Sequence, residues 1–215
     1  KYVSMSSIKF SIAIVTKNRK EDLDVTIQKL KTSIDTNTTE ILILLDGCTD
    51  NTKTLQSKYP FVKWYILDKS VGASKARSIL YKNVKGEFII GFDDDAHPLQ
   101  SDFIDRIESI YNTDNEIAVI AFQEIKGIFT DDQQALQSKP NNKISYYCSD
   151  FVGCGFAIKT KDYFNTRGFP VWIDIYGEES CVSMEVLANN KKILYTNFVS
   201  VNHRVDVKKR KQLGA

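Results

Sequence analysis

Histidine and cysteine are scarce, with two His and four Cys in 215 residues. Cys48, Cys148, Cys154 and Cys181 form no CxxC pair, which argues against a zinc knuckle or a disulfide scaffold and leaves reduced thiols as the expectation. With His97 and His203 alone, a metal centre resting on a histidine cluster is disfavoured, so carboxylates must carry any metal chemistry. Net charge is nearly absent as well. Lys and Arg total 29 against 27 acidic residues, a balance of +2 that disfavours a nucleic-acid partner held by bulk electrostatics. No apolar run reaches the ~20 residues of a membrane span, and the N-terminus lacks a signal-peptide pattern. The expectation is a soluble, cytoplasmic chain. The run KKRK at 208–211 reads either as a solvated tail or as a peripheral contact for acidic lipid headgroups at the inner face of a membrane.

What the chain does have is a steady alternation. FSIAIVT at 10–16 is an apolar, β-branched run; EDLDVTIQKLKTSI at 21–34 sets Leu23, Ile27, Leu30 and Ile34 at helical spacing; EILILLD at 40–46 returns to a buried-strand pattern. A short helix after Thr49, a strand at 61–67, a helix at 73–84 and a strand at 87–92 continue the series. Such a pattern predicts an α/β fold, a mainly parallel central sheet with helices on both faces. A hydrophobic content of 42% over 215 residues suits one domain spanning 1–215. The second half is less regular. It offers a helix near 101–111, a strand at 117–122, a polar stretch from Asp131 to Lys143 that reads as a mobile loop, and a strand at 151–158 with two glycines. A helix over 178–189 and two strands, KKILYT and FVSVNH, close the domain.

Ligands of open α/β sheets sit beyond the carboxyl ends of the strands. Thr16, Lys17 and Asn18 follow the first strand, Asp46 and Gly47 the second, and Asp93, Asp94 and Asp95 the fourth. Three adjacent carboxylates repel one another unless a cation or an array of donors faces them. Mg²⁺ or Mn²⁺, bound through oxygen ligands, meets that demand and can bridge a carboxylate to a diphosphate. A solvated acidic turn before a helix is the structural alternative.

Four segments carry a resemblance: SIAIVTKNRKEDL, LLDGCTDNT, SVGASKARSILYKNVKGEFIIGFDDD, and GFPVWIDIYGEES followed by VNH. In order and spacing they resemble family-two glycosyltransferases of the GT-A fold, over about residues 8–204. The resemblance implies an inverting enzyme, of the kind used in polysaccharide biosynthesis, that moves one sugar from a nucleotide-diphosphate sugar to a carbohydrate or lipid-linked acceptor. It divides the chain into a nucleotide-binding half at 8–95, an acceptor-binding half at 96–204 and a basic tail at 205–215. It makes Asp93 and Asp95 the flanks of a DXD motif, with Asp95 the direct ligand of Mn²⁺ or Mg²⁺ and Asp93 or Asp94 nearer the ribose. His203 falls near the metal or diphosphate, and Thr16, Lys17, Asn18 and Arg77 on the nucleotide side. Asp46 can accept the imide N–H of uracil or thymine, which favours a UDP or dTDP donor. Glu179 stands where the family carries its catalytic base, Glu178 beside the acceptor, and Trp172 in the preceding loop offers a face for an acceptor sugar. Asp174 is the next carboxylate for the base role.

Lys17, Leu45 and Glu179 depart from the residues usual at those positions. They leave open a catalytically impaired nucleotide-sugar-binding relative. A sugar nucleotidyltransferase is the other alternative, although TKNRKEDL lacks the glycine-rich phosphate loop it would want. A processive synthase would carry a QxxRW-type motif, which the chain does not contain.

Overall fold

The computed structural model describes residues 8–139, 142–173 and 176–205. The KKRK run and Asp174 lie outside the described residues. In chain order the elements are β1 (Phe10–Thr16), α1 (Lys20–Lys31), β2 (Thr39–Asp46), a 3-10 turn at Asn51–Thr54 leading into α2 (Leu55–Lys58), β3 (Lys63–Leu67), α3 (Ala73–Tyr81) and β4 (Phe88–Asp93). There follow β5 (Ala96–Pro98), α4 (Phe103–Tyr111), β6 (Ile117–Lys126), α5 (Asp132–Gln137), β7 (Ser145–Cys148), β8 (Gly155–Lys159), α6 (Thr160–Phe164), α7 (Glu178–Ala188) and β9 (Lys192–His203).

One sheet runs through the molecule in the order β3-β2-β1-β4-β8-β6-β9-β5, with β7 added on β9. The β-branched and leucine-rich runs form the parallel set β3-β2-β1-β4, and all eight residues of β2 are buried. Both faces must therefore be covered. Ile12, Ile14, Ile41 and Ile43 turn toward α1 and α4, where Leu23, Ile27, Phe103 and Ile107 complete one core. Ala13, Leu42 and Leu44 turn the other way, onto Ala76 and Leu80 of α3 and Val182 and Val186 of α7. This alternation is the period-two geometry of a strand. The second half docks through β8, antiparallel to both β4 and β6, while β6 and β9 run parallel.

Several elements differ from the sequence reading. The stretch 131–143 is not a loop throughout: α5 occupies Asp132–Gln137, capped by Asp131, whose carboxylate accepts from the Gln134 N–H at 2.8 Å. Its polar composition hid it, since Ala135 is its one buried residue, yet Asp132 is pinned by Lys29 at 2.7 Å and by His97 at 3.0 Å. KKILYT and FVSVNH are one strand, β9, whose pairing with β6 jumps from Thr196 to Ser200 at a bulge that breaks the apolar period. The strand expected at 151–158 is β8, at Gly155–Lys159. Helix α1 stops at Lys31, short of Ile34. The short elements β5, β7 and α6 carry too few residues for periodicity to register.

Asp131→Ala tests the α5 assignment. Loss of an N-cap costs about 1 kcal/mol, so exchange of the amides in α5 should quicken about fivefold while the remaining core amides hold their protection. Hydrogen-exchange mass spectrometry reads this directly. Equal, unprotected exchange in both proteins would return the segment to a loop.

Candidate functional site

Register gathers the charged turns. In the parallel pairs Val15 lies beside Asp93 and Thr16 beside Leu45, so Thr16, Asp46 and the aspartates emerge at one end of the sheet. The antiparallel pair β5–β9 sets Ala96 opposite His203, and this brings the end of the last strand back to Asp95.

Each carboxylate there has a protein partner. The guanidinium of Arg77, on α3, donates to Asp93 at 2.6 Å, to Glu178 at 2.9 Å and to Glu179 at 3.0 Å. Asp94 accepts from the Thr16 hydroxyl at 2.6 Å and lies 3.3 Å from Arg19. Asp95 pairs with Arg19 at 2.6 Å through one oxygen and lies 3.2 Å from His203 Nε2 through the other. That second oxygen, Oδ1, is buried without a hydrogen bond. Asp93, Asp95 and His203 offer ligand atoms that all fall within 4.8 Å of one another, a mixed carboxylate–imidazole set that a divalent cation could occupy. His203 is oriented from behind, with Nδ1 against Glu124 at 2.5 Å.

Burial and charge pull these groups apart. Burial raises Asp94 to about 7, against the opposing Arg19. Asp95 is also desolvated, yet His203 and Arg19 hold it well below the ordinary carboxylate range. Burial works against charge on His203, but Asp95 and Glu124 raise it to about 9. Burial also lifts Glu179 above its usual value, with Arg77 opposing.

Two clefts meet at this point. One, of about 300 Å³, has the aspartates, Arg77, the Glu178–Glu179 pair and His203 in its walls; the other, of about 370 Å³, is walled by Thr16, Lys17, Asp46, Ser70 and Gly72. Val15, Arg19, Ala73 and Asp94 belong to both. The larger cavity near Lys9, Gly86 and Lys159, about 840 Å³, opens at the other end of β1 and β4 and contains none of the expected site residues.

Asp46 holds the turn after β3: it accepts from the Ser70 hydroxyl at 2.7 Å and from the Val71 and Gly72 N–H groups at 2.8 and 3.2 Å. Gly47 is required beside it, because at φ +64° an added Cβ would lie 2.3 Å from the Ser70 nitrogen. Asn18, at φ 56°, ties the first loop to the second by accepting from the Thr49 and Asp50 N–H groups at 2.8 and 3.3 Å. Lys17 is exposed and Trp172 is 77% exposed, the latter outside the walls of both clefts.

Sequence reasoning missed Arg19, Glu124, Gly153 and Tyr176. Arg19 had a signal, a cation in the loop after strand one facing a carboxylate triplet. Gly153 had half of one: an added Cβ would lie 2.0 Å from Glu179 Oε1, so its missing side chain is the space the ion cluster fills. Glu124 and Tyr176 gave none, since the strand of β6 reads as ending at 122 and Tyr176 lies outside any helix or strand.

Arg77 is 11% exposed and three carboxylates depend on it. Arg77→Leu should destabilise by about 3–5 kcal/mol, the cost of leaving buried charge unpaired. Adding Glu178→Gln should recover part of that loss in urea unfolding, because one of the orphaned charges is then gone. A single variant as stable as the parent would mean that the cluster is solvated and not held by Arg77.

The glycosyl transferase family 2 profile matches residues 11–167. Among solved structures, GalNAc-T7 with UDP, GalNAc and Mn²⁺ aligns with a TM-score of 0.74 at 17% identity, over 93% of this chain and 44% of that one. The mannosyltransferase PcManGT from Pyrobaculum calidifontis, in complex with GDP-Man and Mn²⁺, gives 0.73 at 14% identity, over 95% and 60%. Residues 1–349 of S. aureus TarS with UDP-GlcNAc give 0.70 at 18% identity, over 92% and 59%. The chain thus spans about half the length of these structures, and at such identities the likeness is one of fold, the GT-A architecture. No curated protein matches the sequence. Since the family profile spans most of the chain and the fold agrees with it, the chain belongs to glycosyl transferase family 2.

Proposed function

We propose that the protein is an inverting glycosyltransferase that moves a single sugar from a nucleotide-diphosphate sugar to a carbohydrate or lipid-linked acceptor. The observation that carries this reading is the meeting of two clefts at Asp94. One, beside Asp46, suits a nucleoside; the other, between the aspartates and the Glu178–Glu179 pair, suits a sugar and its acceptor. On this reading residues 8–95 supply the donor side and 96–204 the acceptor side. Among the described residues no helix is long and apolar enough to cross a membrane.

On the donor side, Thr16, Lys17 and Asn18 border the base and ribose. Asp46 spends three hydrogen bonds on its turn, and a carboxylate has about four acceptor sites, so one remains for the imide N–H of uracil or thymine. The diphosphate lies along Asp93, Asp94 and Asp95. Asp93, Asp95 and His203 would hold a Mn²⁺ or Mg²⁺ ion, which would supply positive charge for a departing diphosphate. Arg19 and Arg77 are placed to exchange their carboxylate partners for phosphate oxygens.

On the acceptor side, Glu179 is the base. It is the more open of the pair, with 15% of its side chain exposed against 3% for Glu178, and its burial-raised basicity favours proton uptake. The acceptor oxygen attacks the anomeric carbon, its proton passes to Glu179, and the bond to the diphosphate oxygen breaks on the opposite face. Glu178 orients through Arg77, and the exposed Trp172, outside the cleft walls, is the acceptor contact on this reading.

Two measurements test this reading. Release of free nucleotide from UDP-, dTDP- and GDP-sugars, screened against saccharide acceptors, should be acceptor-dependent and fall roughly 100-fold or more in Glu179→Gln with donor binding kept. Full turnover in Glu179→Gln and loss in Glu178→Gln would move the base by one residue, whereas donor binding without turnover in the parent would favour a binding protein. For the base, Asp46→Ala should weaken UDP more than CDP by about 1.5–3 kcal/mol, the worth of a charge-assisted hydrogen bond. Loss of the Ser70 turn would weaken both alike, so an equal loss leaves Asp46 a purely structural role.

A further inference from the structure

His203 faces two donor sets. Its Nε2 lies 3.2 Å from Asp95, while Nδ1 meets Glu124 at 2.5 Å on the other side. Cys154, a free and buried cysteine set between Gly153 and Gly155, completes the second set: ligand atoms of Glu124, Cys154 and His203 all lie within 4.8 Å of one another. The transfer chemistry proposed above makes no use of the thiol. All three residues also wall the 300 Å³ cleft, so the set is reachable by an ion from solvent.

We propose that Glu124, Cys154 and His203 form a site for a soft divalent cation, Zn²⁺ or Cd²⁺, and that filling it displaces Mn²⁺ or Mg²⁺, because a neutral His203 that ligates through Nδ1 carries its remaining proton on Nε2, the nitrogen facing Asp95. The displacement, though not the soft site itself, rests on the metal role given above to Asp93, Asp95 and His203. One sulfur, one imidazole and one carboxylate with a fourth position open is a set that zinc accepts, whereas Mg²⁺ and Mn²⁺ prefer oxygen. Zinc bonds of about 2.0–2.3 Å set tetrahedral donors about 3.5 Å apart, so the Glu124–His203 pair, now at 2.5 Å, needs to open by about 1 Å while the other donors, within 4.8 Å, close by about the same. Competition from protein cations is also weaker here. Asp93 and Asp95 are each held by an arginine at 2.6 Å, but beside His203 the ion-pair partner of Glu124 is Lys126, at 3.2 Å and 59% exposed. On binding, the Cys154 thiol proton and the Nδ1 proton of His203 pass to solvent.

Cadmium titrated into the full chain, followed by thiolate-to-metal charge-transfer absorption in the ultraviolet, tests the site without reference to turnover. The parent should show a band for a single thiolate, which disappears in Cys154→Ala and persists in Asp93→Asn. Glu124→Gln, which conserves shape, should raise the half-saturating Cd²⁺ concentration roughly 10-fold or more and serves if Cys154→Ala does not fold. No band in the parent, a band in Cys154→Ala carried by Cys48, Cys148 or Cys181, or unchanged affinity in Glu124→Gln would each overturn the site. In parallel, Zn²⁺ should release protein-bound Mn²⁺, seen by electron paramagnetic resonance, from the parent and not from Cys154→Ala. A parent that shows the thiolate band but binds no Mn²⁺ keeps the soft site and overturns both the displacement and the metal role of the aspartates.

Discussion

Six carboxylates, Asp93, Asp94, Asp95, Glu124, Glu178 and Glu179, converge on one cleft, and their mutual repulsion is the constraint around which this end of the protein is arranged. Arg77 answers half of it. A single, mostly buried guanidinium joins the end of β4 to the first turn of α7, two elements far apart in the chain. Arg19 and His203 answer the rest from the loop after β1 and the end of β9. Buried ion pairs of this kind add little net stability, because desolvation offsets attraction, but breaking one is costly. The cluster is therefore better understood as fixing geometry than as holding the fold together, a task that falls to the two apolar layers on the faces of the sheet.

That arrangement has a chemical consequence. The cations facing the aspartates are the groups that a diphosphate would also attract, so a donor could enter by exchange of partners without bringing bare charge into an apolar cleft. His203 is drawn into the same balance, since its two ring nitrogens face Asp95 and Glu124, and a metal ion at Nε2 must take the place of any proton there. The glycine at 153 belongs here too. It makes room for Glu179 and Arg77 to lie against the backbone, where an alanine methyl would collide with both.

The parallel half of the fold was legible because β1, β2 and β4 are continuous apolar runs separated by helices of clear period, and a buried sheet demands that pattern. The second half was harder. The bulge in β9 splits its apolar alternation, and α5 buries too little surface to leave a period. The site was legible where charge ends a strand, at Asp46 and at Asp93 to Asp95, since such charge needs an explanation. Its partners were not, because Arg19, Glu124 and Tyr176 reach the cleft through register and loop geometry that no local pattern encodes. Asp46 shows a different limit: the residue type was noticed for a ligand, while much of its carboxylate serves the Ser70–Gly72 turn.

On the proposed function, the aspartate triplet and His203 would hold a divalent cation together with a diphosphate. Calorimetric titration of UDP, dTDP and GDP into the protein, with Mn²⁺ and after chelation, tests it most directly. At least one of these nucleotides should bind, the binding should require the metal, and Asp95→Ala should abolish it. Binding of equal affinity with metal, without metal and in Asp95→Ala would contradict it and leave the carboxylates to Arg19, Arg77 and His203 alone.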